Sequence, residues 1–250
     1  TGPRAGGGAM SGFLLETRGL SKRFGGVPAV DGVDFRLAEG ELRCLIGPNG
    51  AGKSTFFKMV TGQLSPSAGR VLFRGVDVTG EHRHRLAALG IGIKTQVPSV
   101  FDGLSVLESL RLAARRFHAA AESARIVDGV LADTGLGAVA ARRVGELAHG
   151  QRQWVELGMV LARQPALMLL DEPTAGMTPD ETARTAELIR KFRPGRTIIV
   201  VEHDMHFVRM IAEGVTVFHQ GRILIEAPVA EVMADPRVRA VYLGGGRRDA

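Results

Sequence analysis

The sequence predicts an α/β fold, with an antiparallel β-rich N-terminal part and an all-helical block set into its middle. Three observations carry this. Short apolar runs at residues 42–46, 166–170 and 197–201 are each followed by a segment with helical spacing of apolar residues, the alternation that builds parallel sheets covered by helices. Alternating apolar and polar residues over 13–18, 32–37 and 41–46, with a turn at Ala38-Glu39-Gly40, read as paired strands. Between residues 105 and 163 the strand pattern gives way to helical spacing, first in Val106, Leu107, Leu110 and Leu112, then in Ile126, Val130 and Leu131.

Taken in order, the strand at 41–46 leads into a helix from Lys53 toward Val60, with Gly62 placed to end it. Residues 69–78 form a hairpin turning at Arg74-Gly75. After the helical block the strand at 166–170 precedes a helix from Pro179, and Thr178, Pro179 and Glu181 stand as its N-cap, first and third residues, a capping box with its favoured proline. A strand at 197–201, a helix from Met205 and strands at 215–218 and 222–225 complete the pattern. The expected division is a core of 13–95 and 165–244 with a helical lobe of about 96–164. Residues 1–12 are glycine-rich and lack the apolar core of a secretory signal, so they read as a flexible leader.

With 45% hydrophobic residues, the 250-residue chain can bury a sizeable core. No apolar run approaches the ~20 residues a membrane helix needs, so the reading is a cytoplasmic protein whose membrane role is peripheral. The net charge of +6 raises the question of a polyanionic partner. Basic residues occur in pairs such as Arg115-Arg116 and Arg142-Arg143, without long runs or an aromatic platform, so no nucleic acid partner is expected. The single cysteine, Cys44, sits inside an expected strand and reads as a buried thiol.

The chemistry begins at residues 47–55, Gly-Pro-Asn-Gly-Ala-Gly-Lys-Ser-Thr, between a strand and a helix. This reads as a phosphate-binding loop, and a bound nucleoside triphosphate is expected. Asn49, Gly50, Ala51 and Gly52 supply a backbone nest for phosphate oxygens, and the helix beginning near Lys53, Ser54 and Thr55 aims its positive end at the same place. Lys53 is expected on the β- and γ-phosphates and Ser54 on Mg²⁺. A second apolar strand ends in Asp171-Glu172. Asp171 suits the Mg²⁺ shell, and Glu172 suits a general base that polarises the attacking water.

Leu147-Ala148-His149-Gly150-Gln151 lies about twenty residues before Asp171, at a helix start, and is similar to the signature of ATP-binding-cassette (ABC) ATPases. The order of motifs resembles that family from residue 13 to 244: phosphate loop, Gln96, signature, Asp171-Glu172, then His203 after a strand. The resemblance implies that Phe24 stacks on adenine, that Gln96 touches Mg²⁺ and the attacking water, and that His203 hydrogen-bonds the γ-phosphate. It further implies that Ala148, Gly150 and Gln151 contact the nucleotide of a facing subunit, identical or related, in a head-to-tail dimer. Integral-membrane permease subunits would bind a groove between core and lobe near residues 96–104, on the inner face of the membrane, and the solute would not touch this chain. Within the family, the runs 149–154, 175–178, 202–205 and 235–244 resemble ATPases of importers for branched-chain amino acids and, more closely, for urea and short amides.

Three departures stand out. Ala148 replaces the signature serine, Thr95 precedes Gln96 where an aromatic is common, and Met177-Thr178 replace the usual leucine-aspartate. Other readings are an exporter or lipid-extracting ATPase of the same family, or a family member acting on DNA or the ribosome. The latter typically carry a long coiled-coil insertion or paired cassettes, and neither is seen here. His203 and His206, three apart, lack a third ligand at metal-binding spacing.

Overall fold

The structure, a computed structural model, describes residues 12–95 and 100–243. Two sheets organise it. The first is antiparallel and joins β1 (Phe13–Phe24), β2 (Val27–Ala38), β4 (Ala68–Phe73) and β5 (Val76–Asp77) in the order β2-β1-β4-β5. The second contains β3 (Leu42–Ile46), β6 (Ile91–Lys94), β7 (Leu167–Asp171), β8 (Thr197–Val201), β9 (Gly214–His219) and β10 (Arg222–Pro228), ordered β10-β9-β3-β8-β7-β6. All neighbouring pairs in it run parallel except β9 and β10.

The central strands read as continuous apolar runs because both faces of the sheet are covered. Leu42, Cys44, Ile46, Met168, Leu170, Ile198 and Val200 face a core shared with the helices of the middle block and of the C-terminal half. Leu45, Leu167, Leu169, Ile199 and Val201 face the opposite core, shared with β1, β2 and the helix α1 (Lys53–Val60). The period of two along each strand thus splits one run between two cores, each fully buried aliphatic side chain contributing about 1.5–3 kcal/mol. Cys44 is fully buried, as expected, and burial pushes its thiol far up.

Between β6 and β7 lie α3 (Val106–Arg115), α4 (Ala120–Thr134) and α5 (His149–Leu161). Ser105 and Glu108 cap α3 reciprocally. Trp154, Leu157 and Leu161 form the buried face of α5, and the Trp154 indole N–H donates to Thr185 Oγ1 at 3.0 Å, pinning α5 to α6 (Pro179–Phe192). The capping box of α6 forms as read from sequence: the Thr178 N–H donates to Glu181 Oε2 and the Glu181 N–H to Thr178 Oγ1. The chain closes with α7 (Met205–Ile211), α8 (Val229–Ala234) and α9 (Pro236–Leu243).

The structure adds elements that the residue pattern did not mark. β1 continues to Phe24 because irregular registers between Thr17, Leu20, Lys22 and Arg23 carry pairing past the point where strict alternation stops. A six-residue helix α2 (Arg83–Ala88) buries only Leu86 and so carries almost no periodic signal. The four-residue β6, together with α8 and α9, was likewise not expected. Of the leader read over residues 1–12, only Gly12 lies among the described residues.

Candidate functional site

Parallel pairing aligns the C-terminal ends of three adjacent strands. Leu45 is level with Val201 and Asp171 with Val201, so the segments after β3, β8 and β7 emerge at one edge of the sheet, where open α/β sheets bind ligands.

The loop after β3 is built on backbone that side chains would disrupt. Gly47, at φ 145°, would place a Cβ 2.2 Å from Phe218 O, and Gly52, at φ 104°, would place one 2.5 Å from Ala29 O. Gly52 also caps α1 without a side-chain acceptor, which leaves the first-turn N–H groups available to an anion. Asn49 and Gly50 are exposed, and Ser54 is exposed at the start of α1 beside half-buried Thr55. Ala51 is buried, and its N–H is bonded to Pro48 O. Lys53 is buried, with Nζ donating to Gly47 O at 2.5 Å and to Pro48 O at 3.0 Å. Burial draws its pKa down, while Glu172 and Asp171 oppose that shift.

Asp171 ends β7. Burial raises its carboxyl to about 6, with Glu172 pushing the same way and Lys94 and Lys58 opposing. A carboxyl so disfavoured as an anion, and without an ion-pair partner among the described residues, is suited to a cation. With the Ser54 hydroxyl it offers the few hard oxygen ligands that Mg²⁺ takes alongside phosphates and water. Glu172 follows at φ 43°, a left-handed backbone unusual for a non-glycine residue, and its N–H donates to Val201 O at 3.0 Å. Its Oε1 lies 3.3 Å from Nδ1 of the exposed His203, which follows β8. The structure thus brings Lys53, Asp171, Glu172 and His203 to one edge, with carboxylates able to hold a cation and accept a proton. His206 joins no metal-binding cluster among the described residues.

Phe24 is 51% exposed at the end of β1, with Lys22 Nζ 5.5 Å from its ring centroid. It is an open aromatic face, not a core residue. Gln96 lies outside the described residues. Ala148 is the exposed N-cap of α5 and provides no side-chain cap. Its N–H donates to Gln151 Oε1 at 3.3 Å, so that the Gln151 side chain serves its own helix start. Gly150 is buried, and a Cβ there would lie 2.1 Å from Glu181 Oε1. Among the described residues no hydrogen bond or ion pair joins residues 148–151 to the phosphate loop.

Two further residues at this edge were not read as functional. Glu202, 1% exposed, accepts hydrogen bonds from Thr174 and from the His203 N–H. Tyr242, from α9, has its hydroxyl buried beside the Gly47 backbone, and burial raises the phenol to about 12. An acidic residue directly before the histidine was the available signal for the first. Nothing local marks the second, because only the fold brings α9 to the loop.

This edge, with its phosphate loop, strand-end carboxylates and separate helix-start segment, defines a nucleotide-hydrolysing cassette. The chain belongs to the ABC transporter family, whose pattern matches residues 30–175, while residues 222–247 match the pattern described as branched-chain amino acid ATP-binding cassette transporter. It is 32% identical over 253 residues to BraF of Pseudomonas aeruginosa, a high-affinity branched-chain amino acid transport ATP-binding protein, covering 94% of this chain and 99% of that one. It is 34% identical over 239 residues to LptB of Acidithiobacillus ferridurans, a lipopolysaccharide export system ATP-binding protein, covering 92% and 97%. Among solved structures, the ADP conformation of an ATP-binding cassette of an ABC transporter superposes with a TM-score of 0.83 at 29% identity, covering 93% of this chain and 99% of that one. The protein is an ATP-binding, ATP-hydrolysing subunit of a transporter. Among the described residues no helix is long and apolar enough to cross a membrane.

Proposed function

We propose that this subunit powers an importer for branched-chain amino acids or for urea and short amides, by ATP-driven closure of a head-to-tail dimer at the inner face of the membrane. The match of residues 222–247 to the branched-chain amino acid cassette pattern carries the solute class. The urea and amide part rests on the sequence motifs alone. Lys53 and the open N–H groups of α1 bind the phosphates. Ser54, Asp171 and Gln96 hold Mg²⁺, which supplies charge neutralisation on the phosphate oxygens. Glu172 takes the proton of the attacking water, and His203 holds the γ-phosphate while its ring stays oriented by Glu172. Phe24 stacks on the base. The start of α5, with Ala148, Gly150 and Gln151, completes the site of the facing subunit, because neither surface alone encloses the γ-phosphate.

Of the permease groove expected near residues 96–104, residues 96–99 lie outside the described residues. Next to it in sequence, a cleft of about 400 Å³ opens between α2 and β6 on the core side and α3 and α5 in the helical lobe, and supports a permease contact there. Ile93, Leu112, Phe117 and Met159 give it an apolar lining, and Arg83, Arg116 and Arg163 make it cationic. A second reading, lipid export, is favoured by the similarity to LptB. Solubilising membranes, capturing this subunit and identifying the bound permease tests both. A permease with the solute site of an amino acid or amide importer supports the first reading, and a lipid-extracting one replaces it.

A further inference from the structure

We infer that Glu202 is a positioning residue for ATP hydrolysis, holding the backbones that carry Glu172 and His203 in one fixed relation. The inference rests on the reading of Glu172 as the general base. Glu202 is one residue beyond β8, and its own N–H donates to Leu45 O at 3.1 Å, so its backbone is anchored to β3. From there its side chain reaches across to the loop that follows β7. Oε1 accepts the Thr174 hydroxyl at 2.6 Å and the Thr174 N–H at 3.4 Å. Oε2 accepts the His203 N–H at 3.1 Å and lies 3.9 Å from His203 Nδ1. Glu202 therefore links three strand ends at this edge, β3 through its backbone N–H and the segments after β7 and β8 through its carboxylate.

Burial makes this arrangement informative. A carboxylate 1% exposed is retained only when its oxygens are well bonded, and here donors come from two different loops. Glu172 opens the loop that carries Thr174, at a positive φ that persists only where the surroundings over-determine it. Among the contacts that hold its backbone are its own N–H on Val201 O, the Ala175 N–H on its carbonyl oxygen, and the Thr174 bond to Glu202 two residues later. Without the Thr174 bond the loop after Glu172 loses its side-chain anchor to the segment after β8, and the carboxylate is aimed less firmly at water while the phosphate loop, on another strand, is untouched. Hydrolysis is the step that suffers, because general-base catalysis requires the base within hydrogen-bond reach of its proton.

Glu202→Gln keeps the shape but replaces a charged acceptor by a neutral amide, which weakens the bond from Thr174 and turns an N–H toward the His203 N–H. Thr174→Val removes the hydroxyl from the other side, and Thr174→Ser restores it. For Glu202→Gln and Thr174→Val the expected result is a kcat lower by about tenfold to a hundredfold, the loss of a hydrogen bond to a charged group. ATP affinity, measured by titration with a fluorescent ATP analogue, stays within twofold on the order of experimental scatter. Thr174→Ser recovers turnover, and the double variant falls no further than the worse single, because both substitutions break one connection. Wild-type kcat in Glu202→Gln overturns the inference, as does loss of ATP affinity in step with kcat, or an additive double variant. Should Glu202→Gln not fold, the Thr174 pair decides alone. Glu172→Gln in parallel separates the two ideas: full turnover there removes the general-base reading, whereas an inactive Glu172→Gln beside a fully active Glu202→Gln removes only this one.

Discussion

Replacing Ala148 by serine introduces one hydroxyl at an exposed helix N-cap, and two separate effects are expected, one from the helix start and one from the proposed dimer. Ala148 has extended backbone, at φ −60° and ψ 156°, and α5 begins with no side-chain acceptor. A serine there accepts from the N–H of Gln151, whose Oε1 already receives the residue 148 N–H, completing a capping box. Such a cap contributes about 1 kcal/mol, which for a chain of this size raises Tm by about 2–4 °C. A hydroxyl also keeps a proton to donate. In the closed dimer that proton meets the facing γ-phosphate, and a hydrogen bond to a charged group contributes about 1.5–3 kcal/mol, or roughly tenfold to a hundredfold per site in association. Thermal melts without nucleotide read the first effect. Sedimentation with Mg-ATP in the Glu172→Gln background reads the second without interference from turnover. A higher Tm with unchanged ATP-dependent dimerisation would refute the composite site while leaving the helix start intact. An unchanged Tm would refute the capping geometry itself.

The remaining predictions are direct. Lys53→Ala should abolish measurable ATPase in a folded preparation, since the loop's backbone donors then face the triphosphate charge alone; wild-type hydrolysis in this variant would overturn the role of the loop. Glu172→Gln should bind ATP normally, hydrolyse it slowly and accumulate as an ATP-locked dimer by light scattering, whereas a variant that stays monomeric at high concentration counts against dimer closure. Gly150→Ala pushes a methyl into the Glu181 carboxylate and should destabilise the α5–α6 seam by about 1–3 kcal/mol, seen as a lower urea midpoint; a midpoint equal to the parent's would show that the seam yields freely.

Wherever one physical cause dominated locally, the sequence was readable. The phosphate loop, the capping box at Thr178 and the buried strands each follow from spacing or from a residue's conformational limits, and each falls where its residues placed it. The edges of that legibility are physical too. α2 buries one side chain and β6 has four residues, so neither can express a period. The length of β1 depends on register irregularities that only its partners β2 and β4 stabilise. At the site, Lys53, Asp171 and Glu172 declared themselves because their chemistry is tied to strand ends. Glu202 entered only as part of the run 202–205, with no role of its own, because its partner Thr174 is 28 positions away in sequence. Phe24 drew notice only through the resemblance, and the structure leaves its ring exposed at the end of β1.

The strand order also sets a schedule for synthesis. In the sheet, β8 separates β3 from β7, although β8 is made later than either. A nascent chain that has emerged as far as residue 196 holds the lysine and both strand-end carboxylates on strands with no shared neighbour to set their distance. β8, at Thr197–Val201, supplies the wedge that brings them into range, together with the histidine that follows it. Non-local pairing of this kind is formed late in folding. A fragment that stops before residue 197 therefore lacks the strand that sets the spacing of these groups, and no hydrolysis is expected of it.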